Sequence, residues 1–164
     1  MKTMILIFVF FAAGCHEELN LRIDTNCTPE QRADIESAII EINNAWYGCH
    51  GGNGIELTGD AEIDSYDLLK WESDSDDVVA CVPDGERILM EFPDDVNGAS
   101  TYGGNVILFI SRIPDGEFRA VAIHELGHYI GMGHSDDPTS VMYGEGVEVE
   151  HLSDGDIDTM CRMD

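Results

Sequence analysis

The stretch His124-Glu125-Leu126-Gly127-His128-Tyr129-Ile130-Gly131-Met132-Gly133-His134 constrains this chain more than any other. Histidines at i and i+4 stand one turn apart on the same face of a helix, so both imidazoles reach one metal ion. Glu125 follows the first of them and projects beside that ion rather than at it. Gly131 permits a positive φ that ends the helix and swings His134 back as a third nitrogen. Three protein ligands leave a fourth coordination position open, the arrangement of a reactive zinc rather than a structural one. Two histidines flanking a glutamate arise by chance on solvated helices. Gly131 and His134 at the required places make that explanation a poor one.

The chain has 164 residues, with 33 acidic side chains against 8 basic ones and a formal charge of −25. A basic face for nucleic acid is excluded by this balance, and so is attraction to an anionic lipid surface. An acid-rich surface is mostly a solvated one that resists aggregation. The run Glu72-Ser73-Asp74-Ser75-Asp76-Asp77 lacks the internal glycine of a calcium loop and reads as a solvated loop. Ca²⁺ therefore has no clear motif here.

Residues 1–14 read as a signal peptide. Lys2 supplies the charge, Met4 to Phe11 an apolar run too short to span a bilayer, and Ala12-Ala13-Gly14 a small-residue cleavage site. Ala-Gly-Cys is similar to the lipobox of bacterial lipoproteins, which implies cleavage before Cys15 and lipidation of its thiol. His16 follows, not the aspartate that holds lipoproteins in an inner membrane. An exported protein of the outer membrane or cell surface, or one released from it, is expected, with membrane attachment only through the lipid. Residues 15–18 form a tether. Cys27, Cys49, Cys81 and Cys161 then remain, and four cysteines in an exported chain suggest two disulfides. Three connectivities are open, and the expectation here leans towards Cys27–Cys161 with Cys49–Cys81.

Residues 19–164 are expected to form one catalytic domain. Leu19, Leu21 and Ile23 alternate with polar residues as in a half-buried strand. Thr28, Pro29 and Gln31 predict a capped helix start, Ile35, Ala38, Ile39, Ile42 and Trp46 its buried stripe, and Gly48 its stop. Gly48 to Gly54 reads as a plain turn rather than a phosphate loop, with His50 at the surface. Ile55–Thr58, Val78–Val82 and Arg87–Phe92 read as short strands, the last two joined by the turn Pro83-Asp84-Gly85-Glu86. Asp94 to Gly104 reads as a polar loop and Asn105–Arg112 as the strongest strand. Asp115 is a plausible N-cap for a helix starting near Gly116 that buries Phe118, Val121, Ala122, Leu126 and Tyr129. Ser153 and Asp156 form a capping pair for a last helix whose inner face is Ile157, Met160 and Cys161.

His134 continues into Ser135-Asp136-Asp137-Pro138-Thr139-Ser140-Val141-Met142-Tyr143. With this passage the chain resembles the metzincin zinc peptidases, and among them the matrixin-like branch. The resemblance covers most of residues 19–164, but only 124–143 are specific. It implies an α+β fold: a twisted mixed sheet, an N-terminal helix, an active-site helix and a short C-terminal helix. It also implies that Met142, eight residues after His134, lies beneath the metal as an apolar floor, a role that ordinary core packing also satisfies. Several departures stand out. A chain beginning at Cys15 carries no upstream cysteine switch. Gly144 replaces the proline that often follows Met-Tyr in matrixins, and also the tyrosine that reaches zinc in astacin-like relatives, so Tyr143 is not read as a ligand. His16, His50 and His151 are too few for a second, structural zinc.

The implied chemistry is a zinc-dependent endopeptidase, with one Zn²⁺ on His124, His128 and His134 and Glu125 as general base. Its partners are protein or peptide substrates, and it acts as a monomer. An extended substrate is expected to pair with an exposed strand edge, for which Asn105, Val106, Ile107 and Leu108, continuing to Phe109, are the candidates because they precede the motif helix. The alternatives are a catalytically idle, zinc-containing peptide-binding envelope lipoprotein and a metal-storage module. An intact Glu125 and an open coordination position argue against these two respectively.

Overall fold

The computed structural model of the chain describes residues 19–52, 54–63, 77–83, 92–94, 96–100, 103–144, 146 and 149–163. The leader, the tether with Cys15 and His16, the acidic residues 72–76, the turn residues 84–86 and residues 87–91 of the Arg87–Phe92 segment lie outside them.

The fold is α+β, as the resemblance implied, and the described residues form five strands and three α-helices. In chain order these are β1 (Leu19–Asp24), α1 (Pro29–His50), β2 (Ile55–Ala61), β3 (Asp77–Val82), β4 (Gly98–Ser100), β5 (Val106–Phe109), a 3₁₀ turn (Ile110–Arg112), α2 (Phe118–Tyr129) and α3 (Asp154–Met160). The sheet order is β2-β1-β3-β5-β4. Neighbours pair in parallel except β4, which runs antiparallel to β5.

Strands buried on both faces read as continuous apolar runs rather than alternating ones, and β3 and β5 do so for that reason. Val79, Cys81, Val106 and Leu108 face α1 and α2, while Ala80, Val82, Ile107 and Phe109 face Phe92, Val96 and Ala99. The main core lies between the sheet and the helices. There Leu21 and Ile23 of β1 meet Ile35, Ala38, Ile39, Ile42 and Trp46 of α1, and Val121, Ala122, Leu126 and Tyr129 of α2.

Helix α1 starts as the sequence predicts. Thr28 N–H donates to Gln31 Oε1 at 2.9 Å, and Gln31 N–H to Thr28 Oγ1 at 3.3 Å. It does not stop at Gly48 but at Gly51, with φ 68°. The last turn is held from outside: His50 Nε2 lies 3.0 Å from Met160 O, Trp46 packs on the His50 ring, and Cys49 is bonded to Cys161. Beyond the turn, the Asn43 side-chain amide pairs with both backbone groups of Ile55, at 2.7 and 2.8 Å. A Cβ on Gly54 would meet Asn43 Oδ1 at 2.2 Å, so only glycine admits this brace.

Two further expectations about strands and helices fail. The presumed loop 94–104 contains β4, a three-residue strand with no apolar alternation to betray it. Helix α2 begins at Phe118, after a left-handed Gly116 (φ 85°), and Asp115 does not cap it. The cysteine pairing is also other than expected. The bridges are Cys27–Cys81 and Cys49–Cys161, with Cα–Cα distances of 5.1 and 4.9 Å. The parallel pairing Ile23↔Val79 brings the turn after β1 level with Cys81. Cys49 meets Cys161 because α3 ends beside the end of α1. Replacing Cys49 and Cys161 by serine is expected to cost about 2–5 kcal/mol. Urea denaturation of oxidised protein checks this, and an unchanged midpoint would contradict it.

Candidate metal centre

Helix α2 is buried almost all round, from Ala120 to Tyr129, and inserts His124 and His128 into the molecule. Its end is a Schellman turn. Met132 N–H donates to Gly127 O and Gly131 N–H to His128 O, both at 2.9 Å, around Gly131 with φ 101°. The chain then doubles back and carries His134 to the other two rings. A short bridge between Ser135 and Tyr143, with Ser135 N–H donating to Met142 O at 2.8 Å, holds the returning strand.

The three Nε2 atoms converge. His124 and His128 are separated by 3.1 Å, His128 and His134 by 3.1 Å, and His124 and His134 by 3.3 Å. Nδ1 of His124 lies 2.8 Å from Val141 O, and Nδ1 of His128 lies 2.8 Å from Met132 O. A carbonyl only accepts, so both Nδ1 atoms carry the proton and both Nε2 atoms present lone pairs. Burial, with the neighbouring imidazoles opposing further positive charge, pushes His124 down to about 3, and burial pushes His128 down to about 4. Burial lowers His134 as well. Neutral rings whose lone pairs face one another repel unless a cation stands between them. A tetrahedral zinc with Zn–N of about 2.0–2.1 Å needs nitrogens about 3.3–3.4 Å apart. The three histidines fit that ion in donor type, protonation and spacing.

Glu125 is buried beside the histidines at 7% exposure. Burial pushes its carboxyl up to about 8. A dication among the imidazoles acts in the opposite sense and favours the carboxylate. Met142 lies under the helix: a Cβ on Gly127 would fall 2.4 Å from its Sδ. Gly144 passes close to His134, and a Cβ there would be 3.3 Å from the ring, a tight contact that asks a few tenths of an ångström of its neighbour.

The expected substrate edge is not an edge. Residues Val106, Ile107 and Leu108 belong to β5, which is paired on both sides, and Asn105 is buried with Oδ1 accepting from Val78 N–H at 3.0 Å. Burial on both faces explains the strand's unbroken apolar run. The edge nearest the histidines is β4, and its Gly98 touches Glu125.

Asp156 is a further residue of the site, visible in the sequence only as a capping partner. Its side chain is buried at 2% exposure. Oδ2 accepts from Ser153 N–H at 2.8 Å, completing the α3 capping box, and from Val141 N–H at 3.1 Å. Oδ1 accepts from the Ser140 hydroxyl, which in turn accepts from Met142 N–H at 3.0 Å. One carboxylate thus fixes both α3 and the turn whose Val141 carbonyl orients His124.

The fold is similar to that of archaemetzincin from Methanopyrus kandleri. The crystal structure of that protein superposes with a TM-score of 0.56 at 14% identity, covering 88% of this chain and 94% of that one. At the sequence level, the family model described as Matrixin matches residues 49–161, more than half of the chain. The chain belongs to the matrixin family. A curated relative, matrilysin of Felis catus, is 54% identical over 44 residues, which are 24% of this chain and 17% of the relative. The family match begins inside α1, yet β1 lies within the same sheet, between β2 and β3.

Proposed function

We propose that the chain is a zinc-dependent endopeptidase of proteins outside the cytoplasm. The observation that carries this reading is the set of three neutral Nε2 atoms 3.1–3.3 Å apart with Glu125 buried beside them. A zinc ion held there supplies Lewis acidity, which lowers the pKa of water and polarises a peptide carbonyl. His124, His128 and His134 hold it through Nε2. Val141 O and Met132 O keep the first two rings in the ligating tautomer. Glu125 takes the proton of the attacking water on a carboxylate oxygen and returns it to the leaving amine nitrogen. The edge of β4 offers main-chain groups to an extended substrate. Matrixin membership supports a metallopeptidase.

Two disulfides and the leader-like residues 1–14 support export, with Cys15 as lipid anchor. Labelled palmitate should be incorporated into the wild-type chain and not into Cys15→Ala. Casein digestion tests the enzyme reading. Activity is expected to vanish on removal of metal by 1,10-phenanthroline and to return with stoichiometric Zn²⁺. A zinc-loaded protein that cleaves neither casein nor gelatin would instead be an idle binding protein.

A further inference from the structure

Gly98 stands where the edge strand meets the buried carboxyl of α2. A Cβ built on it would lie 2.7 Å from Glu125 Cγ, 2.9 Å from Cδ and 2.9 Å from Oε1. No real side chain tolerates that approach, so something must move. The strand is poorly placed to do so. Gly98 is paired with Leu108, and Phe109 N–H donates to Asn97 O at 3.0 Å. The segment leading into β4 is tied by Arg112, whose Nη1 donates to Pro93 O at 2.6 Å and to Val96 O at 3.3 Å. The backbone of Glu125 is fixed in the middle of a buried helix. What remains free to give is the Glu125 side chain.

We propose that Gly98 is a positioning residue for the Glu125 carboxyl: its bare Cα forms the floor on which the carboxyl arm rests, and any larger residue displaces the base. The proposal rests on the reading of Glu125 as the base. Ordinary carbon contacts begin near ~3.5 Å, so a methyl group at position 98 shifts the arm by about 1 Å. A displacement of that size in a reacting group costs about 10²-fold in rate. The cost to folding is small, because a flexible side chain absorbs the clash.

The experiment compares zinc-loaded wild type, Gly98→Ala, Glu125→Ala, the double variant and Gly48→Ala on one fluorogenic peptide. Gly48 has open space around it at the far end of α1, and its variant controls for an added methyl group. Gly98→Ala should lower kcat about 100-fold, with KM within threefold, zinc content unchanged and Tm within a few degrees. Glu125→Ala removes the arm from Cγ outward, and with it every atom that the added methyl would meet, so in that background Gly98→Ala should cost less than threefold. A KM effect with kcat intact would assign Gly98 to substrate access and overturn the proposal. Losses that multiply in the double variant would overturn it too. Glu125→Gln keeps the two readings apart. If it is inactive while Gly98→Ala is fully active, the positioning role alone fails. If Glu125→Gln is fully active, the base assignment fails and the positioning role with it.

Discussion

Glu125→Gln is expected to lower kcat for peptide hydrolysis by about 10²–10⁴-fold, the usual contribution of a positioned general base, while one zinc per chain stays bound. The substitution keeps the shape of a side chain that is 7% exposed. It removes only the ability to accept and return a proton. Folding should suffer little, because burial already opposes charge on this carboxyl and a neutral amide avoids that penalty. The imidazoles reach the metal through Nε2 and are oriented by Val141 O and Met132 O, not by Glu125. Steady-state kinetics together with metal analysis of the dialysed protein checks the pair of outcomes. Wild-type turnover in the variant would remove Glu125 from the mechanism, and loss of zinc would make it a ligand instead.

Asp156→Ala is expected to have the second-largest effect, and on two observables at once. It strands the buried Val141 N–H and Ser140 hydroxyl and opens the capping box of α3. Each buried group left unsatisfied costs about 1–3 kcal/mol, and a lost cap costs about 1 kcal/mol. A total of about 3 kcal/mol or more should appear in urea denaturation. Val141 also supplies the carbonyl that orients His124, so zinc affinity should fall about 10–100-fold, as it does when the hydrogen-bond partners of metal ligands are removed. Competition with a chromophoric chelator measures that fall. Unchanged affinity in the folded variant would show that the turn holds His124 without help from α3.

The convergence of the three histidines was legible because its information is local. His124, His128, Gly131 and His134 lie within eleven residues, and helix periodicity alone brings the first two together. Thr28 with Gln31 and Ser153 with Asp156 were legible for the same reason: a capping box spans four residues. The sheet was legible as apolar runs but not as an order. β5 looked like an edge because it precedes the motif helix, whereas its neighbours are β3 and β4, the latter too short and too polar to read. The cysteine pairing depends on which strand lies beside β1 and where α3 ends, and neither is written in spacing. Gly98 and the second role of Asp156 are long-range contacts as well. A glycine that makes room for a side chain 27 positions away leaves no pattern in its own neighbourhood.

The two bridges overlap along the chain, since Cys49 lies inside the loop closed by Cys27–Cys81 and Cys81 inside the loop closed by Cys49–Cys161. A single backbone cut anywhere between Cys27 and Cys161 therefore leaves one covalent molecule. Such a nick releases no fragment until the chain is reduced, and the two pieces stay at a fixed, high effective concentration. Clipping between the two outer cysteines can in this way leave α1, the sheet and the three histidines in one body.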